Sequence, residues 1–177
     1  MAFKFDLPLL RIGLYGALAF FSFLVFCLSA ARIQYTTHLR KGDTLNNGIS
    51  FYDPVVVELL FTALVTMPWS GFMIYSIHKR HENRFVSKFR DEIIALSFLW
   101  LFWIVGTGIT TSFWGNLGFC QKINACRVLS ALVGFCWLGW LTLTAILAVS
   151  LLFSIANTAF LEPLHGRWDP RQSHYPA

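Results

Sequence analysis

Residues 128–153 read VLSALVGFCWLGWLTLTAILAVSLLF, 26 positions without one charged side chain. An α-helix rises about 1.5 Å per residue and the hydrocarbon core of a bilayer is about 30 Å thick, so roughly 20 apolar residues cross it. This stretch has residues to spare. Three more runs, 9–31, 55–77 and 93–111, are also apolar and long enough, or nearly so. Together they predict an all-α integral membrane protein, an antiparallel bundle of four transmembrane helices.

The composition agrees with that solvent. Of 177 residues, 56% are hydrophobic and 13% charged, against about 25% charged in a soluble domain. Four spans leave room only for short loops and the tail at 154–177, so a single membrane domain over 1–177 is expected.

The net charge of +5 does not point to nucleic acid, because the cations sit at the span ends. Lys4, Arg11, Lys79, Arg80, Arg84, Lys88, Arg90, Arg167 and Arg171 share one side in an alternating topology; Arg32, Arg40, Lys41, Lys122 and Arg127 share the other. By the positive-inside rule the richer side is cytoplasmic, which puts both termini and the second loop there. Ser29, Ala30 and Ala31 resemble a signal-peptide cleavage site behind Lys4 and Arg11. The apolar run before them exceeds the roughly 7 to 15 residues of a signal h-region, so the first span is expected to be retained.

Local signals mark the spans. Asp53 and Pro54 form an N-cap and N1 pair that starts the second span. Pro68 lies deep in the same span and frees the carbonyl of Leu64, which predicts a packing kink. Small residues recur at four-residue spacing in Gly13 and Ala17, Thr62 and Thr66, and Ser130 and Gly134. Such pairs let helices approach closely, within one chain or between chains.

Several polar and aromatic residues stand out inside the membrane. Glu58 is about 6 Å below the outer boundary set by Pro54. An ionisable group in lipid needs a partner, and Arg32 and Arg127 lie at the same outer level, so an intramembrane ion pair with one of them is expected. Trp100, Trp103, Trp137 and Trp140 count to the middle of the bilayer, although membrane tryptophans favour the interfaces. A mid-membrane aromatic layer follows, with indole N–H groups bonding backbone or Thr hydroxyls, or alternatively a contact for a sterol or acyl chain.

The loops supply the other expected sites. Cys120 and Cys126 bracket a short segment on the oxidising side and are a disulfide candidate. Cys27 and Cys136 fall inside spans, where a thiol acts as a small apolar residue. Lys79, Arg80, Arg84, Lys88 and Arg90 interleave with Phe85, Val86 and Phe89, a pattern suited to anionic lipid as well as to setting topology. His78, His81 and Glu82 make only a weak metal signal. No P-loop, HExxH pair, nucleophile elbow or dinucleotide fingerprint occurs, so neither catalysis nor a cofactor is expected beyond a bound lipid or sterol.

Glu92, the run Leu99-Trp100-Leu101-Phe102-Trp103, Thr107, Thr110 and Thr111, the Cys120 to Cys126-Arg127 loop, and Phe135, Trp137 and Trp140 together resemble fungal four-span proteins of the MARVEL class. The resemblance in sequence covers residues 92–152, and in topology nearly the whole chain. It implies cytoplasmic termini, a lumenal disulfide-type loop, and roles in membrane apposition, vesicle traffic or membrane subdomains, with no catalytic residues. The first loop lacks the Trp and paired Cys of a claudin-like motif, and the third lacks the Cys-Cys-Gly of a tetraspanin. The expected function is therefore a noncatalytic membrane scaffold in the plasma membrane or endomembrane vesicles, working with lipids and as a homo-oligomer or with a membrane-protein partner. The alternative is a small transporter or channel subunit using Glu58 and the kinked second span.

Overall fold

The computed structural model describes residues 7–39, 49–79, 89–114 and 124–156. They form four helices: α1 (Leu7–Thr37), α2 (Pro54–Lys79), α3 (Phe89–Trp114) and α4 (Asn124–Ala156). All four are long and apolar enough to cross a membrane, and the described residues contain no strand. This is the pattern of a multi-pass membrane protein.

Every helix overruns its apolar stretch, and α1 does so most. Its last turn has local satisfaction for carbonyls that would otherwise be orphaned. The Gln34 carbonyl accepts from Thr37 Oγ1 at 3.3 Å and the Tyr35 carbonyl from His38 N–H at 3.4 Å. The chain returning toward α2 contributes Phe51 N–H, which donates to the Thr36 carbonyl at 3.0 Å. At the start of α2 the Asp53 carbonyl accepts from Val56 N–H at 3.0 Å and Val57 N–H at 3.3 Å. The helix then runs through Pro68 without interruption.

The helices pack as a square. α1 lies against α2 and α4, while α3 lies against α4 and, more loosely, against α2. On α1 the buried positions are Leu7, Arg11, Tyr15, Leu18, Ser22, Val25, Ser29, Arg32 and Thr36. From Tyr15 to Thr36 the steps alternate three and four residues, a period of 3.5, the seam of a left-handed bundle. The same steps run down α3 through Glu92, Leu96, Leu99, Trp103 and Gly106.

The α1 seam is unusually polar, and the outer face unusually apolar, for a bundle in water. Five of the nine buried positions of α1 are polar or charged: Arg11, Ser22, Ser29, Arg32 and Thr36. Phe20, Phe23, Phe61, Phe98, Leu101 and Leu152 are exposed. In water that outer surface would aggregate, whereas in lipid it is the wetted face and polar groups turn inward.

Candidate functional site: polar clusters in a closed bundle

One polar cluster lies at the end of the bundle where α1 and α3 begin. Arg11 and Tyr15 are one turn apart on α1, so both side chains fall on the buried seam. Arg11 forms an ion pair with Glu92 of α3, and the Tyr15 phenol donates to the other Glu92 oxygen. Ser150 of α4 donates to that same oxygen at 3.5 Å. Arg11 and Glu92 are 1% and 0% exposed, so this is an ion pair withdrawn from solvent. Glu92 also sits in the first turn of α3, where the helix dipole favours an anion. The cluster joins α1 to α3 across the diagonal of the square, where direct helix packing is weakest.

At the opposite end Arg32 of α1 pairs with Asp53 at 3.4 Å, and its guanidinium lies 5.9 Å from the centre of the Trp114 ring. This corrects the expected pairing of Glu58 with Arg32 or Arg127. Asp53 is at the bundle end and is still partly exposed, so pairing there costs less desolvation than at Glu58, about 7.5 Å deeper along α2. Arg127 is exposed. Among the described residues Glu58 has no cationic partner; Thr62 Oγ1 donates to its Oε1 at 2.9 Å, and its buried Oε2 has no hydrogen-bond partner. Oε2 presses against Gly106 of α3, where an added methyl would meet the carboxyl and come within 2.7 Å of Leu59 Cδ2.

The four tryptophans do not all share one ring cluster. Trp100, Trp137 and Trp140 cluster on the α3–α4 seam, with ring centres 5.8 Å apart for Trp100 and Trp140 and 5.5 Å for Trp137 and Trp140. The Trp100 and Trp137 N–H groups donate to Thr144 at 2.9 Å and to Thr111 at 3.0 Å. Trp103 turns instead into the core, is fully buried, and donates to Thr66 of α2 at 3.1 Å.

An apolar groove of about 420 Å³ opens between α2 and α3, the loosest seam, lined chiefly by Phe61, Thr62, Val65, Trp69, Phe98 and Phe102. Of the small-residue pairs, Thr62 and Thr66 point inward, whereas Gly13 and Gly134 are exposed with open space around them. Cys120, Arg80, Arg84 and Lys88 lie outside the described residues. Lys79 and Arg90 are exposed at helix ends, and Arg90 reaches Asp91 at 3.7 Å. His81 and Glu82 also fall outside, and the described residues contain no cluster of three metal-binding side chains.

The Arg11, Tyr15, Glu92 and Ser150 cluster was not anticipated as a unit, although its signal is present. An alternating topology puts Arg11 and Glu92 at the same end, and Tyr15 follows Arg11 by one turn. No family model, curated protein or solved structure matches the chain.

Proposed function

We propose that the chain is a noncatalytic multi-pass membrane organiser with both termini cytoplasmic, acting through lateral contacts with lipid and with copies of itself or other membrane proteins. The observation that carries this reading is the division between a filled interior and an apolar flank. Leu18, Leu59, Leu96, Trp103, Leu132 and Leu143 are almost fully buried within the bundle. Outside, the α2–α3 groove matches the chemistry of an acyl chain or sterol, and exposed Gly13 and Gly134 offer close approach to another helix. The residues quoted for the MARVEL resemblance support the same class of role at the plasma membrane or on endomembrane vesicles.

Native mass spectrometry in mild detergent tests this reading. Retained lipid and more than one subunit, or a membrane-protein partner, are the expected result. Ala95 also lines the groove, and filling it through Ala95→Phe should reduce the retained lipid severalfold. A lipid-free monomer, with Ala95→Phe making no difference, would defeat the reading. Ion flux in proteoliposomes that disappears with Glu58→Gln in an assembled protein would replace it with the transport alternative.

The cysteine loop belongs to the same proposal. A Cys120 to Cys126 disulfide would pin the connection before α4 on the exoplasmic side. Nonreducing peptide mass spectrometry is expected to recover the linked peptide; two free thiols in freshly purified protein would remove the clamp. Cys27 and Cys136 are free thiols and should alkylate after denaturation without reduction.

A further inference from the structure

The α2–α3 groove and the charges at one end of the same two helices belong to one seam. Glu58 of α2 meets Gly106 of α3. Eleven residues on in α2 and eleven back in α3, Trp69 and Ala95 both line the groove, so the helices run antiparallel in a fixed register. Carried past the groove, that register sets Lys79, the last residue of α2, about one turn beyond the level of Phe89, the first of α3. Lys79 is also five full turns from Phe61, which puts it on the stripe of α2 that walls the groove. On α3, Arg90 lies about 7.5 Å before Ala95 along the helix axis. Both cations are exposed. Among the described residues Lys79 forms no ion pair, and Arg90 reaches its neighbour Asp91 only through Nε at 3.7 Å.

The groove and its rim select different parts of a ligand. Inside, nothing is free to hydrogen-bond an occupant: the Thr62 hydroxyl is engaged with the Glu58 carboxylate, and the Trp69 N–H is buried. A sterol carries its hydroxyl on the ring system and finds no polar partner along these walls. A glycerophospholipid separates the two requirements, with a wholly apolar chain and a phosphate at the membrane surface. At the rim Lys79 and Arg90 oppose the single acid Asp91, and the connecting sequence 80–88 adds Arg80, Arg84 and Lys88 against Glu82. That excess of positive charge favours a head group with net negative charge. A second copy of the chain fits less well, because helices in lipid approach closely through small residues, whereas Phe61, Phe98 and Phe102 project from this seam. We propose that the α2–α3 seam binds one anionic glycerophospholipid of the cytoplasmic leaflet, with an acyl chain in the groove and the phosphate on Lys79 and Arg90. This rests on the orientation and lipid contact proposed above and names the lipid.

Native mass spectrometry of delipidated protein, titrated with phosphatidylserine or with phosphatidylcholine of the same acyl chains, reads both halves of the site. Phosphatidylserine is expected to bind at the lower concentration. Lys79→Gln and Arg90→Gln should each raise the phosphatidylserine needed by about fivefold, and phosphatidylcholine distinctly less. Ala95→Phe should weaken both lipids, and in that background Lys79→Gln should change little further, because the head group is held only where its chain is seated. Equal binding of the two lipids would overturn the head-group assignment and leave the lipid contact standing. Additive losses from Ala95→Phe and Lys79→Gln would mean two separate sites and overturn the proposal, as would displacement of phosphatidylserine by an equimolar sterol. Dimerisation that competes with lipid and is blocked by Ala95→Phe would give the groove to a second copy. Protein that retains neither lipid defeats the underlying reading as well. Lys79 and Arg90 are exposed at helix ends, so their variants test the head group even if Ala95→Phe does not assemble.

Discussion

Glu92→Ala is expected to destabilise the fold by about 3 to 5 kcal/mol, the range for removing one partner from a buried ion pair. The substitution leaves Arg11 charged in a place that is 1% exposed and removes the acceptor of the Tyr15 phenol and the Ser150 hydroxyl. Arg11→Ala should cost a similar amount, because the carboxylate is then stranded at 0% exposure. Glu92→Gln keeps an acceptor for Tyr15 and should fall between Glu92→Ala and the wild type. The informative variant is Arg11→Met with Glu92→Met, which removes both charges and keeps volume. It should recover most of the loss, since much of the single-mutant cost is an uncompensated charge. Apparent melting temperature in one detergent at one scan rate measures the series. If the double variant is as unstable as the sum of the singles, the two groups do not act as a pair.

That cluster also shows where the sequence was readable. The four helices were legible because apolar length is a one-dimensional property, and the start of α2 because Asp53 and Pro54 are a local signal. Glu92 stands one residue before the apolar run at 93–111, so Glu58 read as the one acid well inside a span. The helix in fact begins at Phe89, and Glu92 lies inside it on the buried seam. Depth along the membrane followed from counting residues, but azimuth did not. Counting put Glu58 level with Arg32, yet Glu58 faces Gly106 of α3, while Arg32 of α1 pairs with the shallower Asp53. The tryptophans divide for the same reason. Trp100 and Trp103 are three residues apart at similar depth, but one faces α4 and the other α2. A sequence whose lipid face and buried face are equally apolar gives little signal for that rotation, which is why the polar residues on the inner seams carry it.

Rotation into the core is also what separates two tryptophans that otherwise look equivalent. Trp103→Ala is expected to cost about 3 to 5 kcal/mol, the range for truncating a buried Trp, and Trp140→Ala distinctly less. Trp103 is 0% exposed and bonds Thr66, whereas Trp140 is half-buried on the α3–α4 seam and its N–H has no partner. The neighbours of Trp103 also cannot close the gap. Gly139 faces the ring so closely that an added Cβ would lie 2.6 Å from its Cη2 and Cζ3 atoms, and glycine has no side chain to move into the space. The glycine is therefore half of the fit: Gly139→Leu should overpack the wild type, at a cost of about 1 to 3 kcal/mol. In a Trp103→Ala background the same leucine enters the cavity and should restore part of the lost stability, a non-additivity that contacting residues show and distant ones do not. Thermal unfolding of the four proteins in one detergent decides the point. Equal damage from Gly139→Leu in both backgrounds would mean that ring and glycine do not face each other, and the interior packing assigned to α3 and α4 would fail with it.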